Sequence, residues 1–222
     1  MRPFSEYEVY IFDCDGVLLD SNYQKIIAMR RALESLEGLE NGLESAMRYF
    51  ADNFGRSRFH HVHIFLRDFL IFRNIHIPSN IEEEILANYS LFVEELYSEA
   101  PVTENVEAVL ERLNGRLFVA SGSEEKQLRN ILLKNNLMKY FDGVYGSPSK
   151  KVDIIKYIVK TTNSNKSDVL MIGDSVPDFE AASENGIDFC GLYGYSNTAD
   201  QLKERCVLAG CLKIKTWSDL KG

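Results

Sequence analysis

Cysteine is scarce in this chain, with Cys14, Cys190, Cys206 and Cys211 the four in 222 residues. None forms a CxxC pair, so the spacing supports neither a disulfide framework nor a zinc site, and the four read as free thiols of a reducing compartment. The cytoplasm is the expected location. Long apolar runs are missing too: no stretch approaches the roughly 20 residues of a membrane span. The opening "MRPFSEYEVY" puts charges and a proline where a secretion signal needs an unbroken apolar segment. Positive charge is in deficit, with 25 Lys and Arg against 33 Asp and Glu and a net charge of −8. That balance leaves no general electrostatic footprint for DNA or RNA. An acidic protein that takes an anionic ligand does so through local basic groups or a metal ion.

What is present is globular composition, 45% hydrophobic and 26% charged, at a length that suits one domain carrying a smaller insert. "YEVYIF" is a β-branched and aromatic run that predicts a buried strand ending at Asp13. From residue 22 the texture changes to amphipathic helices, predicted at 22–36, 42–54, 59–74 and 79–100. Pro78-Ser79-Asn80 before a glutamate run marks the start of the last. After Pro101, strand and helix alternate. Strands are predicted at 116–123, 141–147, 168–175 and 187–194, and helices at 103–114, 123–137, 151–162 and 176–186, the second of them opened by Ser123. Such alternation argues for an α/β fold whose parallel sheet is covered by helices on both faces. The helical block at 21–100 interrupts it as an inserted domain, leaving 1–20 and 101–222 as the core domain.

Ligands of open parallel sheets bind beyond the carboxyl ends of the strands. There the sequence places Asp13 and Asp15, then Ser121-Gly122, then Lys150-Lys151, then Asp174 and Asp178. Two carboxylates as close as Asp13 and Asp15 repel each other unless a positive charge answers them. Hard oxygen ligands such as Asp13 and Asp174 suit Mg²⁺, which also binds substrate phosphate. A carboxylate beside that ion can act as nucleophile, and a second acid two residues on can move protons. Ser121, the Gly122 N–H and a lysine can hold phosphoryl oxygens. Gly16 frees the chain to turn just past the acids.

Taken together, "DCDGVLLDS", "VASGS", "GSPSKK" and "GDSVPD" resemble the four ordered motifs of the haloacid dehalogenase-like hydrolase superfamily, nearest its phosphoglycolate phosphatase and β-phosphoglucomutase types. The resemblance implies a Rossmann-like parallel β-sheet core flanked by helices, with the insert as a type-one α-helical cap domain. It implies Asp13 as nucleophile and Mg²⁺ ligand, and Asp15 as general acid/base that also offers its backbone carbonyl to the metal. Ser121 and Gly122 would hold the phosphoryl group, Lys151 would steady it, Asp174 would complete the metal site, and Asp178 would order metal-bound water or the lysine. Lys151 is preferred to Lys150 because it sets Ile154 and Ile155 in the family's register on the following helix. Asp15 points to phosphate esters, since the family's dehalogenases lack an acid at its position.

In the insert, "NFGRSRFHH" predicts a loop at Gly55 with Arg56, Ser57 and Arg58 suited to an anionic or hydroxylated substrate. Similarity to family members whose caps reach over the site singles out Arg58 as a specificity residue. His60, His61 and His63 share no helical face with an acid partner, and read as packing or solvated groups. Cys14 alternates away from the acids and is expected to pack inward. The expected function is Mg²⁺-dependent hydrolysis of a small phosphorylated metabolite through an aspartyl-phosphate, with no nucleic-acid or membrane partner. A phosphomutase of the β-phosphoglucomutase type uses the same acids, and a non-catalytic phospho-acceptor module shares the acidic pair, hydroxyl and lysine. Both readings stay open at this point.

Overall fold

The computed structural model describes residues 2–72 and 78–220. It begins with a strand, β1 (Val9–Phe12), in which every residue is apolar and buried. A strand covered on both faces has no exposed side to make polar, which is why it reads as a continuous apolar run. The insert follows as α1 (Asn22–Glu34), β2 (Leu39–Asn41), α2 (Leu43–Asp52), α3 (Arg58–Ile64), a π-helical turn at Phe65–Phe69, β3 (Ile71–Phe72) and α4 (Ile81–Tyr97). Alternation then resumes through α5 (Val106–Arg112), β4 (Arg116–Glu124), α6 (Glu125–Lys134), β5 (Gly143–Ser147) and α7 (Lys151–Thr162). It continues with β6 (Val169–Gly173), α8 (Val176–Asn185), β7 (Asp188–Leu192), α9 (Ala199–Ala209) and β8 (Leu212–Ile214).

Six strands form one parallel sheet in the order β5-β4-β1-β6-β7-β8. This is the Rossmann-like α/β core that the sequence pattern predicts. Side chains alternate across it. Val9 and Ile11 face a core with Ile154, Ile155 and Ile158 of α7. Tyr10 and Phe12 face the opposite way, into a core that runs on without a break into α1 and α4 of the insert. Insert and sheet therefore share apolar packing, each fully buried large side chain adding about 1.5–3 kcal/mol. Among the described residues no helix is long and apolar enough to cross a membrane.

The two chain segments that join insert and core are tied to one another. Asp20 N–H donates to Pro101 O (2.9 Å) and Thr103 N–H to Leu18 O (3.0 Å). The Thr103 hydroxyl donates to Val17 O, and the Trp217 indole N–H, buried, reaches both Val17 O and Thr103 Oγ1 at 3.1 Å.

One predicted helix is divided. The sequence predicts a single helix over 59–74, but α3 stops at Ile64 and the π turn closes with Leu70 N–H on Phe65 O. Leu70 is extended, and Ile71 and Phe72 pair antiparallel with Asn41 and Leu39; residues 73 and 74 lie outside the described residues. The partner strand is distant in sequence, so helical periodicity carries no trace of it. Gly42 permits the crossing, because a Cβ there would sit 1.9 Å from Phe69 O. The elements α9 and β8 are not among those predicted.

Candidate active site

From β1 the chain runs to β4 and β5 on one side and then crosses to β6 on the other, so a crevice opens at the carboxyl ends where the strand order reverses. Asp13 follows β1, Ser121 lies near the end of β4 and Asp174 follows β6, and all are buried. Asp13 is set by its own N–H, which continues the ladder onto Ile172 O at 2.9 Å. Gly16 then turns with φ +71°, and a Cβ on it would fall 2.1 Å from Asp174 Oδ2. Glycine is required there both by conformation and by space.

One carboxylate oxygen each from Asp13, Asp174 and Asp178 lies within 4.8 Å of the others. Lys151 lies beside them, its side chain 8% exposed, its Nζ 3.1 Å from Asp13 Oδ1 and hydrogen-bonded to Asp178 Oδ1. Asp178 also closes the capping box of α8, its Oδ2 accepting from Ser175 N–H (3.2 Å) and Oγ (2.7 Å). Lys150 is exposed at the N-cap of α7. Burial pushes the Asp13 carboxyl up to about 7; Lys151 pulls against that shift, and Asp178 and Asp15 add to it. Asp174 is raised well above the ordinary range by burial, then by Asp178 and Asp13. For Lys151, burial lowers the ammonium's pKa but the two aspartates outweigh it and the net shift is upward.

These residues fit a divalent cation. Hard carboxylate oxygens are the donors Mg²⁺ prefers. Asp174 Oδ1 is buried with no hydrogen-bond partner, and a buried acceptor left unpaired costs about 1–3 kcal/mol unless something answers it. The side chain of Asp15 stands outside this cluster. It accepts from Ser21 Oγ (2.5 Å), Ser123 Oγ (2.9 Å) and Lys25 Nζ. Burial acts to raise the Asp15 carboxyl, but the Lys25 charge and these hydrogen bonds win and hold it below the ordinary value.

Four of these residues escape the sequence reading: Ser21, Asn22, Lys25 and Ser123. Asn22, the first residue of α1, donates Nδ2 to Asp174 Oδ2 (2.7 Å) and to Tyr195 O (2.9 Å). The buried side of α1 runs Asn22, Lys25, Ala28, Met29, Ala32, Leu33, so a lysine on the apolar face of a helix was the available signal. Ser123 is not the cap predicted for the following helix. It belongs to β4, and Glu124 caps α6 instead, accepting from Lys126 N–H (3.1 Å) and Gln127 N–H (2.9 Å).

The loop before α3 closes over the crevice. A Cβ on Gly122 would lie 2.7 Å from Gly55 O and 3.0 Å from Arg56 O, so this loop rests directly on the β4 backbone. Behind it a cavity of about 30 Å³ is lined by Asp13, Asp15, Ser121 and Gly122 on one side and by Lys25 and Arg58 on the other. Arg58 is buried, with Nη1 on Ser90 Oγ (2.8 Å), Nη2 on Gln127 Oε1 (2.7 Å) and its guanidinium 4.8 Å from the Tyr89 ring. His61 is buried against Phe50, ring centroids 4.6 Å apart. His60 instead meets the Tyr49 hydroxyl at 3.0 Å. Cys14 packs inward, its Sγ 3.3 Å from the Tyr97 hydroxyl, and all four cysteines are free thiols.

Solved structures share this fold. A protein described as a predicted phosphatase from Clostridium acetobutylicum matches with TM-score 0.74 and 23% identity, over 97% of each chain. A predicted phosphoglycolate phosphatase from Haemophilus somnus matches at 0.74 and 17%, over 98% of this chain and 97% of that one. A haloacid dehalogenase-like family hydrolase from Streptococcus pneumoniae matches at 0.70 and 21%, over 90% and 91%. No curated protein sequence matches the chain. The family model for haloacid dehalogenase-like hydrolases matches residues 7–186, which takes in Asp13, Ser121, Lys151 and Asp174 with the whole insert between β1 and α5, and the chain belongs to that family.

Proposed function

We propose that the chain is a Mg²⁺-dependent phosphomonoester hydrolase acting on a small phosphorylated metabolite, in the cytoplasm. Asp13, Asp174 and the backbone carbonyl of Asp15 would hold the ion, which would neutralise the carboxylates and the phosphoryl oxygens. The observation that carries the reading is that three buried acid oxygens lie within 4.8 Å of one another with the Lys151 ammonium 3.1 Å from the first residue's carboxylate.

Asp13 attacks phosphorus and the ester oxygen leaves with a proton from Asp15, giving an aspartyl-phosphate. Water then attacks that phosphorus, Asp15 takes its proton, and Asp13 is restored with release of phosphate. Ser121, Gly122 and Lys151 hold the phosphoryl oxygens through both steps. Asp178 keeps Lys151 pointed at Asp13. The donors on Asp15 stabilise its carboxylate, the form needed in the second step. Residues 21–100 act as the cap: they exclude bulk water and present Arg58 to the leaving group. The similarity to structures described as phosphatases supports the same class of reaction.

The test is hydrolysis of p-nitrophenyl phosphate. It requires Mg²⁺ and disappears in Asp13→Asn; full activity retained in that variant rules out Asp13 as nucleophile.

A further inference from the structure

We infer that phosphate enters and leaves the site through a second cavity, on the α7 and α8 side of the loop before α3, and that the Arg56–Glu180 ion pair latches the loop across that passage. The route rests on the phosphatase reading; the latch does not.

The inner cavity holds about 30 Å³, room for roughly two or three waters. A phosphoryl group with its leaving group exceeds that, so one wall has to give before substrate can enter. Most of the wall is tied down. Phe50, Phe54 and Tyr89 belong to the apolar core that insert and sheet share. Arg58 is fixed to Ser90 and Gln127, and Lys25 to Asp15 and Ser123. Opening on that side would leave several polar groups unpaired away from water, which costs more than losing an exposed contact.

The remaining wall is the loop. Gly55, Arg56 and Gly122 line the inner cavity and also a cavity of about 390 Å³ on the other side. The partition is thin there, and Gly55 (φ +97°) lets the loop lie close, since a Cβ on it would sit 2.4 Å from Ser175 Oγ. The outer cavity is also lined by Lys150 and Lys151 of α7's start and by Glu180 and Glu184 of α8. Lys151 and Gly122 face it, so it reaches groups proposed to hold the phosphoryl oxygens. Among the described residues, Arg56 Nη2 on Glu180 Oε2 (3.1 Å) is the only hydrogen bond or ion pair from residues 53–57 to the core. These side chains are 39% and 45% exposed, and pairs so placed are weak and screened by salt. Weakness suits a gate, because the pair favours the seated loop and still lets it lift at each turnover.

Charge reversal tests the latch. Arg56→Glu, Glu180→Arg and the double reversal are compared with the wild type by two measurements. The first is the rate of tryptic cleavage after Arg58, a site common to all these proteins, which follows the population with the loop lifted. Cleavage after Arg112, in α5 of the core, reports global unfolding and is expected not to change. The second is the inhibition constant of inorganic phosphate against p-nitrophenyl phosphate hydrolysis with Mg²⁺. Each single reversal is expected to raise both by about two- to fivefold at low salt, and the double reversal to bring both back to the wild-type value. In about 0.5 M NaCl the wild type moves toward the single variants. Single reversals that leave both measurements unchanged overturn the inference, as does a double variant in which the two single effects multiply. A double reversal that restores cleavage but leaves phosphate inhibition weak assigns Arg56 to phosphate itself and overturns the route. If p-nitrophenyl phosphate is inert, the phosphatase reading and the route fall together, and the cleavage rates alone decide the latch.

Discussion

Asn22 and Asp174, 152 residues apart in sequence, are joined by a 2.7 Å hydrogen bond between side-chain amide and carboxylate. The first residue of the insert's first helix thus orients an acid of the candidate metal site in the core. Partners of this kind fix the direction of a ligand's lone pairs, and their loss costs 10- to 100-fold in metal affinity. Asn22→Ala is expected to raise the Mg²⁺ concentration for half-maximal phosphate release by about tenfold or more, with most of the rate recovered at saturation. A metal titration at fixed substrate checks it. An unchanged midpoint would mean that Asp174 is held without Asn22.

Lys25→Met leaves Asp15 as a buried carboxylate without its cation. Breaking such a pair costs on the order of 3–5 kcal/mol, and urea unfolding of the metal-free protein should show it. The double variant Lys25→Met with Asp15→Asn is expected to be less destabilised than the two single losses added together, because the unpaired charge is gone. Strict additivity would show that the pair does not interact.

Much of the fold could be read from the residues because it is written locally. The helix over 151–162 has the same limits in the structure, since its apolar side chains recur at helical spacing and Lys151 opens it. The four separated acidic, hydroxyl and basic segments meet because each ends or follows a strand, and parallel sheets gather strand ends. What escaped depends on partners far away in the chain. Ser123 carries every local mark of a helix cap, yet its hydroxyl is drawn to Asp15, 108 residues earlier. Lys25 looks like one more charge on a helix until the packing of α1 against α4 shows which side is covered. The strand at Ile71–Phe72 exists only because Leu39–Asn41 lies beside it.

Gly122→Ala tests the seating of the loop. The new methyl would stand 2.7 Å from Gly55 O, a backbone atom that cannot rotate away. The loop must lift, and overpacking of this kind costs about 1–3 kcal/mol. The expected result is a fall in kcat/KM of at least about tenfold, for the same free energy. Wild-type kinetics would show that the loop does not need this contact.

His61 sets an acid limit on stability. Burial, with smaller contributions from His60 and Arg56, lowers its pKa to about 3 in the folded protein. The unfolded chain protonates it near 6.5. Between those values the unfolded state binds the extra proton, so stability rises with pH and is lost as pH falls below about 6.5. The loss from this group is on the order of 2 kcal/mol at pH 5 relative to pH 7.5. Urea unfolding of the wild type and of His61→Phe at both values isolates it, because the other titrating groups are common to both proteins. A variant with the same difference in stability between the two pH values would refute the assignment.

The indole of Trp217 has a consequence for the order in which the molecule is made. Every acid of the crevice has been translated once residue 178 is made, but the wedge that braces Val17 against Thr103 comes some forty residues later. Until then a growing polypeptide carries all the acids of the crevice but lacks the hydrogen bonds that tie the two connecting segments together through the indole, a side chain outside the acid cluster.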